Sequence, residues 1–195
     1  METELRVYAS DELGKDGYPV RWHRAENGIP ALKELVRMAA DYRCVRCGHP
    51  YRSGEHGSGE WSPCDEQCSH LCPVRWVYDS GDHEPIIFEL PDSRTNYVLT
   101  LGPGHWEAKW RILTVHHLDG EKANCRWWNL ASLCQRCHLT IQGRVRMERV
   151  WPWEHSDWFQ PYVAGFYAWA YLGENLPRDE VETRLDELLG LERAA

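Results

Sequence analysis

Residues 114–142 read TVHHLDGEKANCRWWNLASLCQRCHLTIQ, and the reading of this run decides how the rest of the chain is organised. A β-rich lead-in ends on the adjacent pair His116-His117. Asn129-Leu130 follows about a dozen residues later, and His138 stands one residue past a Cys134-x-x-Cys137 pair. Neighbouring residues at a strand end point to opposite sides, so His116 and His117 cannot easily share one job. One suits a metal ion and the other suits proton transfer. A third histidine beside a two-cysteine turn strengthens that reading, because an isolated histidine is usually structural.

Upstream lies a matching pair, Cys44-x-x-Cys47. Each pair is a turn that presents two thiolates to one tetrahedral ion, so the four cysteines predict a structural zinc. A disulfide network is the competing use. The opening METELRVYASDELGK has neither a basic n-region nor an apolar h-region, which argues for a reducing, intracellular and cytoplasmic setting and against disulfides. Cys64, Cys68 and Cys72, in PCDEQCSHLCP, are spaced x3 and x3 around His70. They read either as a second zinc site drawing on His70, His56 or His49, or as a small buried stripe on a helix face. Cys125 reads as a free thiol, with service to that second site as its alternative.

Outward from these motifs the chain divides into three parts. Residues 1–28 are polar and glycine-punctuated, an arm with one strand candidate at 18–23. Residues 29–150 form the main domain. Pro30 opens a helical pattern through Leu32, Leu35, Val36, Ala39 and Ala40, which delivers the chain to Cys44. An irregular insertion rich in Gly, Ser, Pro and acids occupies about 48–95. Residues 97–101 and 110–115 are β-rich and flank a Gly-Pro-Gly turn, which predicts an antiparallel hairpin running into His116. Residues 129–133 read as extended, and a helix is expected from Cys134 towards Val150. Residues 151–195 predict a C-terminal helical extension packed on the core: an aromatic helix at 157–172 and a last amphipathic helix from Pro177 with Val181, Leu185, Leu188 and Leu189 inward. The class is therefore α+β.

The pattern Cys44-x2-Cys47, His116-His117, Asn129-Leu130 and Leu133-Cys134-x2-Cys137-His138 resembles the HNH endonuclease family, whose ββα-metal (His-Me finger) core wraps two short strands and a helix around one divalent ion. The resemblance covers about residues 41–143, and its specific part is 114–142; the tail is similar to those of phage-encoded members, which would place the protein in a host cytoplasm. Two departures stand out. The 68 residues between Cys47 and His116 exceed what a compact member needs, and the basic residues the family usually carries just after the last histidine appear only at Arg144 and Arg146. The resemblance implies His116 and His138 as ligands of a catalytic Mg²⁺ or Mn²⁺, with Ni²⁺ or Zn²⁺ as alternatives. It implies His117 as general base, Asn129 as the group that orients it, and the four-cysteine zinc as a staple. Asp119 reads as an acidic partner of the ion or as the turn residue before Gly120, and Trp127-Trp128 as core or as a base-stacking pair.

With 195 residues, 43% hydrophobic and 27% charged, the chain supports one ordinary core, and no apolar run approaches the roughly 18–20 residues of a membrane span. The net charge of −8 argues against a phosphate-bearing partner until it is divided along the chain. Residues 101–150 hold eight basic against four acidic side chains, while every other segment is acidic. Lys109, Arg111, Lys122, Arg126, Arg136, Arg144, Arg146 and Arg149 are then candidate phosphate contacts, and DNA the expected partner. The rival expectations are a non-catalytic zinc-stabilised module that binds nucleic acid or protein, such as a phage packaging or host-takeover factor, and a protein partner or homodimer held by the aromatic C-terminal region.

Overall fold

The chain seen as a computed structural model is described over residues 5–52, 60–61, 65–69, 87–88, 97–98, 113–142 and 157–194. Its organising element is an antiparallel hairpin of β5 (Leu113–His117) and β6 (Leu130–Cys134), in register Leu113↔Cys134 through His117↔Leu130. Among the described residues, four two-residue strand pieces precede it. β1 (Tyr51–Arg52) pairs with β2 (Glu60–Trp61), and β3 (Ile87–Phe88) pairs with β4 (Tyr97–Val98), both antiparallel. The architecture is thus mixed: helices around small two-stranded sheets.

The strand pairing differs from the sequence expectation. Residues 97–98 pair with 87–88, and the strand that carries His116 pairs with the segment after Asn129. The extended reading of 129–133 agrees with β6, but every residue of β6 is buried, so no polar and apolar alternation marks which strand it pairs with.

Helix α1 (Leu32–Ala39) forms as its 3.6-residue pattern predicts, burying Leu32, Leu35 and Val36 against the hairpin. Arg37, on the same side, donates from Nε to Leu113 O at 2.9 Å and pairs with Glu34 at 3.2 Å, tying α1 to the first residue of β5. After α1, Asp41 and Tyr42 take left-handed φ values of 49° and 51°. That reversal turns the chain back to Cys44, with the Tyr42 hydroxyl donating to Glu34 at 2.6 Å. The arm contributes no strand at 18–23 but a 3₁₀ turn, Val20–Trp22, entered from Pro19. It is nonetheless core material: Leu5, Tyr8 and Trp22 are buried with Leu35, Cys125 and Leu130.

β6 runs directly into α2 (Gln135–Ile141), which folds back on both strands. The C-terminal region holds α3 (Gln160–Tyr167), prolonged by a π turn, Ala168–Leu172, that Gly173 ends at φ 72°. It then forms α4 (Arg178–Thr183) and α5 (Leu185–Gly190), two helices where the sequence pattern predicts one, separated at Arg184. Val181 and Leu188 are buried as expected. α3 packs on the 3₁₀ turn Trp127–Asn129 just before β6. Trp128 is buried there, and Trp127 touches all three apolar clusters while its Nε1 donates to Leu176 O at 2.7 Å. The tryptophan pair is therefore core.

The closest approach in this packing is at Gly165, where a Cβ would stand 2.8 Å from the Trp127 ring and 2.9 Å from Trp128 Cβ. Gly165→Ala is expected to lower stability by about 1–3 kcal/mol through overpacking, despite the better helix propensity of alanine. A urea titration with an unchanged or higher midpoint would show that α3 does not press on the tryptophan turn.

Candidate functional site

Cys44, Cys47, Cys134 and Cys137 are all buried, and their four sulfurs lie within 4.8 Å of one another. Four sulfurs around zinc at about 2.3 Å stand about 3.8 Å apart, so the set fits a tetrahedral ion, and the Cys47 to Cys134 separation of 4.0 Å is close to that edge. The chemistry of the donors agrees. Burial opposes ionisation of Cys44, yet hydrogen bonds from the surrounding thiols hold it well below the usual thiol range, while Cys134 is pushed well above it, chiefly by its hydrogen bond with Cys137. Four buried thiolates need a cation to ionise together. No other group of three or more ligating side chains is drawn together among the described residues.

The first cysteine turn is shaped by Gly48, whose N donates to Cys44 O at 2.7 Å with φ 74°. A Cβ there would stand 2.2 Å from Gln67 O, so segment 65–69 lies directly on the turn. Val45 N donates to Ser132 O at 2.9 Å, which joins the turn to β6. The second cysteine turn is the start of α2 itself: Cys134 is its N-cap and accepts from Cys137 N at 3.4 Å. Arg46 Nη1 lies 3.8 Å from Cys137 Sγ, a charge-assisted contact to that sulfur.

Four residues after the N-cap, α2 presents His138 to the face of the hairpin that carries Thr114 and His116. The rings of His116 and His138 have centroids 4.6 Å apart and planes inclined by 52°. Two imidazoles that share one ion through nitrogens at about 2.0–2.1 Å have ring centres roughly 4.5–5 Å apart, so the pair fits a common divalent ion. Both are partly exposed, which leaves room for further ligands. Burial lowers the pKa of each, that of His116 to about 4 with help from His138, and neutral imidazole is the ligating form. Thr114 Oγ1 stands 2.8 Å from Leu133 O and 3.2 Å from His138 Nδ1.

His117 points the other way, as alternation along a strand requires. It is 6% exposed, walled by Trp22 at 4.9 Å and Tyr18 at 5.7 Å between ring centres, and its Nε2 is 3.9 Å from Cys125 Sγ. Burial, then the nearby His116 and Lys122, lower its pKa to about 4, against a hydrogen bond to the Lys122 backbone. The Cys125 thiol is pushed up to about 12 by burial, so it is an inert packing group. Asn129 does not reach the His117 ring. Its side chain, fully buried, accepts from Asp119 N at 2.8 Å and donates to Asp119 Oδ1 at 2.7 Å and Asn124 O at 2.8 Å. It holds closed the loop that carries Lys122. Asp119 is the turn residue of that loop, accepting from Glu121 N and Asn124 Nδ2.

The remaining sequence candidates are placed unevenly. Cys68 is buried with its sulfur 3.9 Å from His49 Nδ1 and 3.8 Å from Asp65 Oδ1, whereas Cys64, His70, Cys72 and His56 lie outside the described residues. Lys122 donates to Asp16 O at 2.9 Å and covers the Tyr18 ring at 4.6 Å; Arg126 lies over Trp169 at 4.6 Å. Lys109, Arg111, Arg144, Arg146 and Arg149 fall outside the described residues, and of Arg136 only the helical backbone is described. Thr114 has a sequence signal, its position two residues before His116 on one strand face. Trp22 and Tyr18 have none, since nothing local links the arm to His117.

Compared with known proteins, the chain matches no family model, no curated protein and no solved structure. Among the described residues no helix is long and apolar enough to cross a membrane.

Replacing Cys44 by serine is expected to remove one equivalent of zinc per chain and the cooperative melting transition together, because binding of such an ion is folding free energy. Metal analysis beside calorimetry checks this; a variant with parental zinc content and a parental melt would remove the ion from the four-cysteine site.

Proposed function

We propose that the chain is a metal-dependent endonuclease of the HNH type that hydrolyses DNA phosphodiester bonds. The observation that carries the reading is the pair of partly exposed imidazoles, His116 and His138, facing each other at 4.6 Å where a strand meets the helix that starts at the four-cysteine cluster. His116 and His138 would hold one Mg²⁺ or Mn²⁺, with Ni²⁺ or Zn²⁺ compatible with the same nitrogen donors. Such an ion supplies Lewis-acid stabilisation of charge on the phosphate and on the departing 3′ oxygen.

His117 acts as general base. Its neutral ring takes a proton of the attacking water as the new O–P bond forms and the P–O3′ bond breaks; the departing 3′ oxygen takes a proton from solvent water, leaving 5′-phosphate and 3′-hydroxyl ends. Asn129 serves this step through the loop rather than by touching the ring: it pins Asp119 and Asn124, and the loop's Lys122 backbone hydrogen-bonds His117. Trp22 and Tyr18 keep the ring from swinging away.

The competing reading is a zinc-stabilised binding module without catalysis. The small exposure of His117 and the excess of acids in residues 151–195 favour it. Supercoiled plasmid with Mn²⁺ separates the two. Nicking or linearisation is expected from the parent and none from His117→Gln, which keeps most of the ring's volume and so spares the packing against Trp22; circular dichroism and zinc content should not change. An intact plasmid with the parent protein supports the binding module, and undiminished cleavage by the variant removes His117 as base.

Substrate engagement through a few cations on an acidic protein is also expected to be strongly salt-dependent. Cleavage at limiting protein should fall by about tenfold or more between 50 and 200 mM salt, and a flat profile would speak against phosphate contacts from residues 101–150.

A further inference from the structure

Thr114 occupies a position that no step above uses. It stands two residues before His116, on the same face of β5, opposite Leu133 in the register. Its hydroxyl lies between two groups, Leu133 O at 2.8 Å and His138 Nδ1 at 3.2 Å. A hydroxyl has one proton to give. A carbonyl oxygen can only accept, and it is the nearer partner, so the proton goes to Leu133 and a lone pair of Oγ1 is left facing the imidazole. The contact to His138 is favourable only if Nδ1 carries a hydrogen.

We propose that Thr114 is a positioning residue that holds His138 as the Nδ1–H tautomer and thereby leaves the Nε2 lone pair free for a divalent cation beside His116. The proposal rests on the nuclease reading for the purpose of the cation, but the tautomer itself does not depend on it. Imidazole left to water prefers its proton on Nε2, the nitrogen that would have to bind the metal. The strand therefore selects against the solution preference. It does so with a side chain whose own proton is committed to the hairpin, so the tautomer is tied to correct pairing of β5 with β6. An outer partner that fixes a ligand's tautomer typically changes metal affinity by about 10–100-fold.

The test uses the full-length, zinc-loaded chain labelled with ¹⁵N-histidine, with no other metal added. Long-range ¹H–¹⁵N spectra should show His138 with a protonated Nδ1 and a bare Nε2. Thr114→Val, close in shape, should move protonation towards Nε2 and weaken Mn²⁺ binding, followed by electron paramagnetic resonance, by about 10–100-fold. Thr114→Ser, which keeps the hydroxyl, should restore both. A parental spectrum with the proton on Nε2 overturns the proposal, and this reading survives any failure of the valine variant to fold. Parental tautomer and parental Mn²⁺ affinity in a folded Thr114→Val overturn it equally. A protonated Nδ1 that shifts in Thr114→Val, in a protein that neither binds Mn²⁺ nor cuts plasmid, upholds the role of Thr114 on the tautomer and removes the nuclease reading.

Discussion

The four-cysteine cluster is the constraint from which the rest of the site follows. It joins a turn at residues 44–47 to the junction of β6 and α2, nearly ninety residues away in the chain. The same junction sets the direction in which α2 leaves the sheet. His138 is four residues into that helix, so its distance to His116 is a consequence of where the cysteines meet. Apparent binding free energies of structural zinc sites are about 10–16 kcal/mol, comparable with the whole stability of an ordinary domain. Thiol packing alone offers nothing of that size. With an ion bound, the cluster would act on the histidine pair indirectly, by fixing an angle between a strand and a helix.

The second organising feature is the alternation of β5. One face gives Thr114 and His116 to α2, the other gives His117 to the arm and the loop. Adjacent histidines thus sit in different surroundings: His116 is partly exposed beside another imidazole, and His117 is enclosed by Trp22, Tyr18 and Cys125. Asn129 connects the two sides. Its backbone carbonyl accepts from Leu118 N at 2.9 Å while its side chain closes the loop, so one residue sets both the end of the hairpin and the backbone that meets His117. A fully buried amide with both ends satisfied is costly to replace, which suits a part whose task is to keep geometry.

Much of this is legible in the sequence. The paired cysteines state their ligand chemistry by spacing, α1 shows its periodicity openly, and the ordering of His116-His117, Asn129 and His138 points at one site. What the sequence hid has identifiable reasons. β6 is buried on both faces and reads as a featureless apolar run, so its partnership with β5 could not be inferred and the nearer β-rich residues 97–101 drew the pairing instead. The break at Arg184 hides inside a continuous amphipathic pattern; there the guanidinium gathers Glu174, Glu180 and Glu187. The enclosure of His117 depends on contacts more than ninety residues apart, made by an arm of short 3₁₀ turns, and no local pattern encodes such a meeting.

Electrostatics bring the same geometry to bear on the proposed contact with phosphate. Of the candidate phosphate contacts whose side chains are described, Lys122 and Arg126, each already has an intramolecular partner: the Asp16 carbonyl and Tyr18 ring for one, Trp169 and Trp128 for the other. A cation held over an aromatic ring at an exposed site is stabilised by only about 0.5–1 kcal/mol. A phosphate arriving beside it offers a gain of similar order once salt screening is counted, so the exchange is nearly balanced. Held in this way the two cations are pre-positioned rather than free, which lowers the entropy lost on contact but leaves little net attraction for nucleic acid at large. On the proposed nuclease reading, an acidic protein with so few available cations would discriminate by fit at the site, because its net charge of −8 works against long-range attraction of a polyanion.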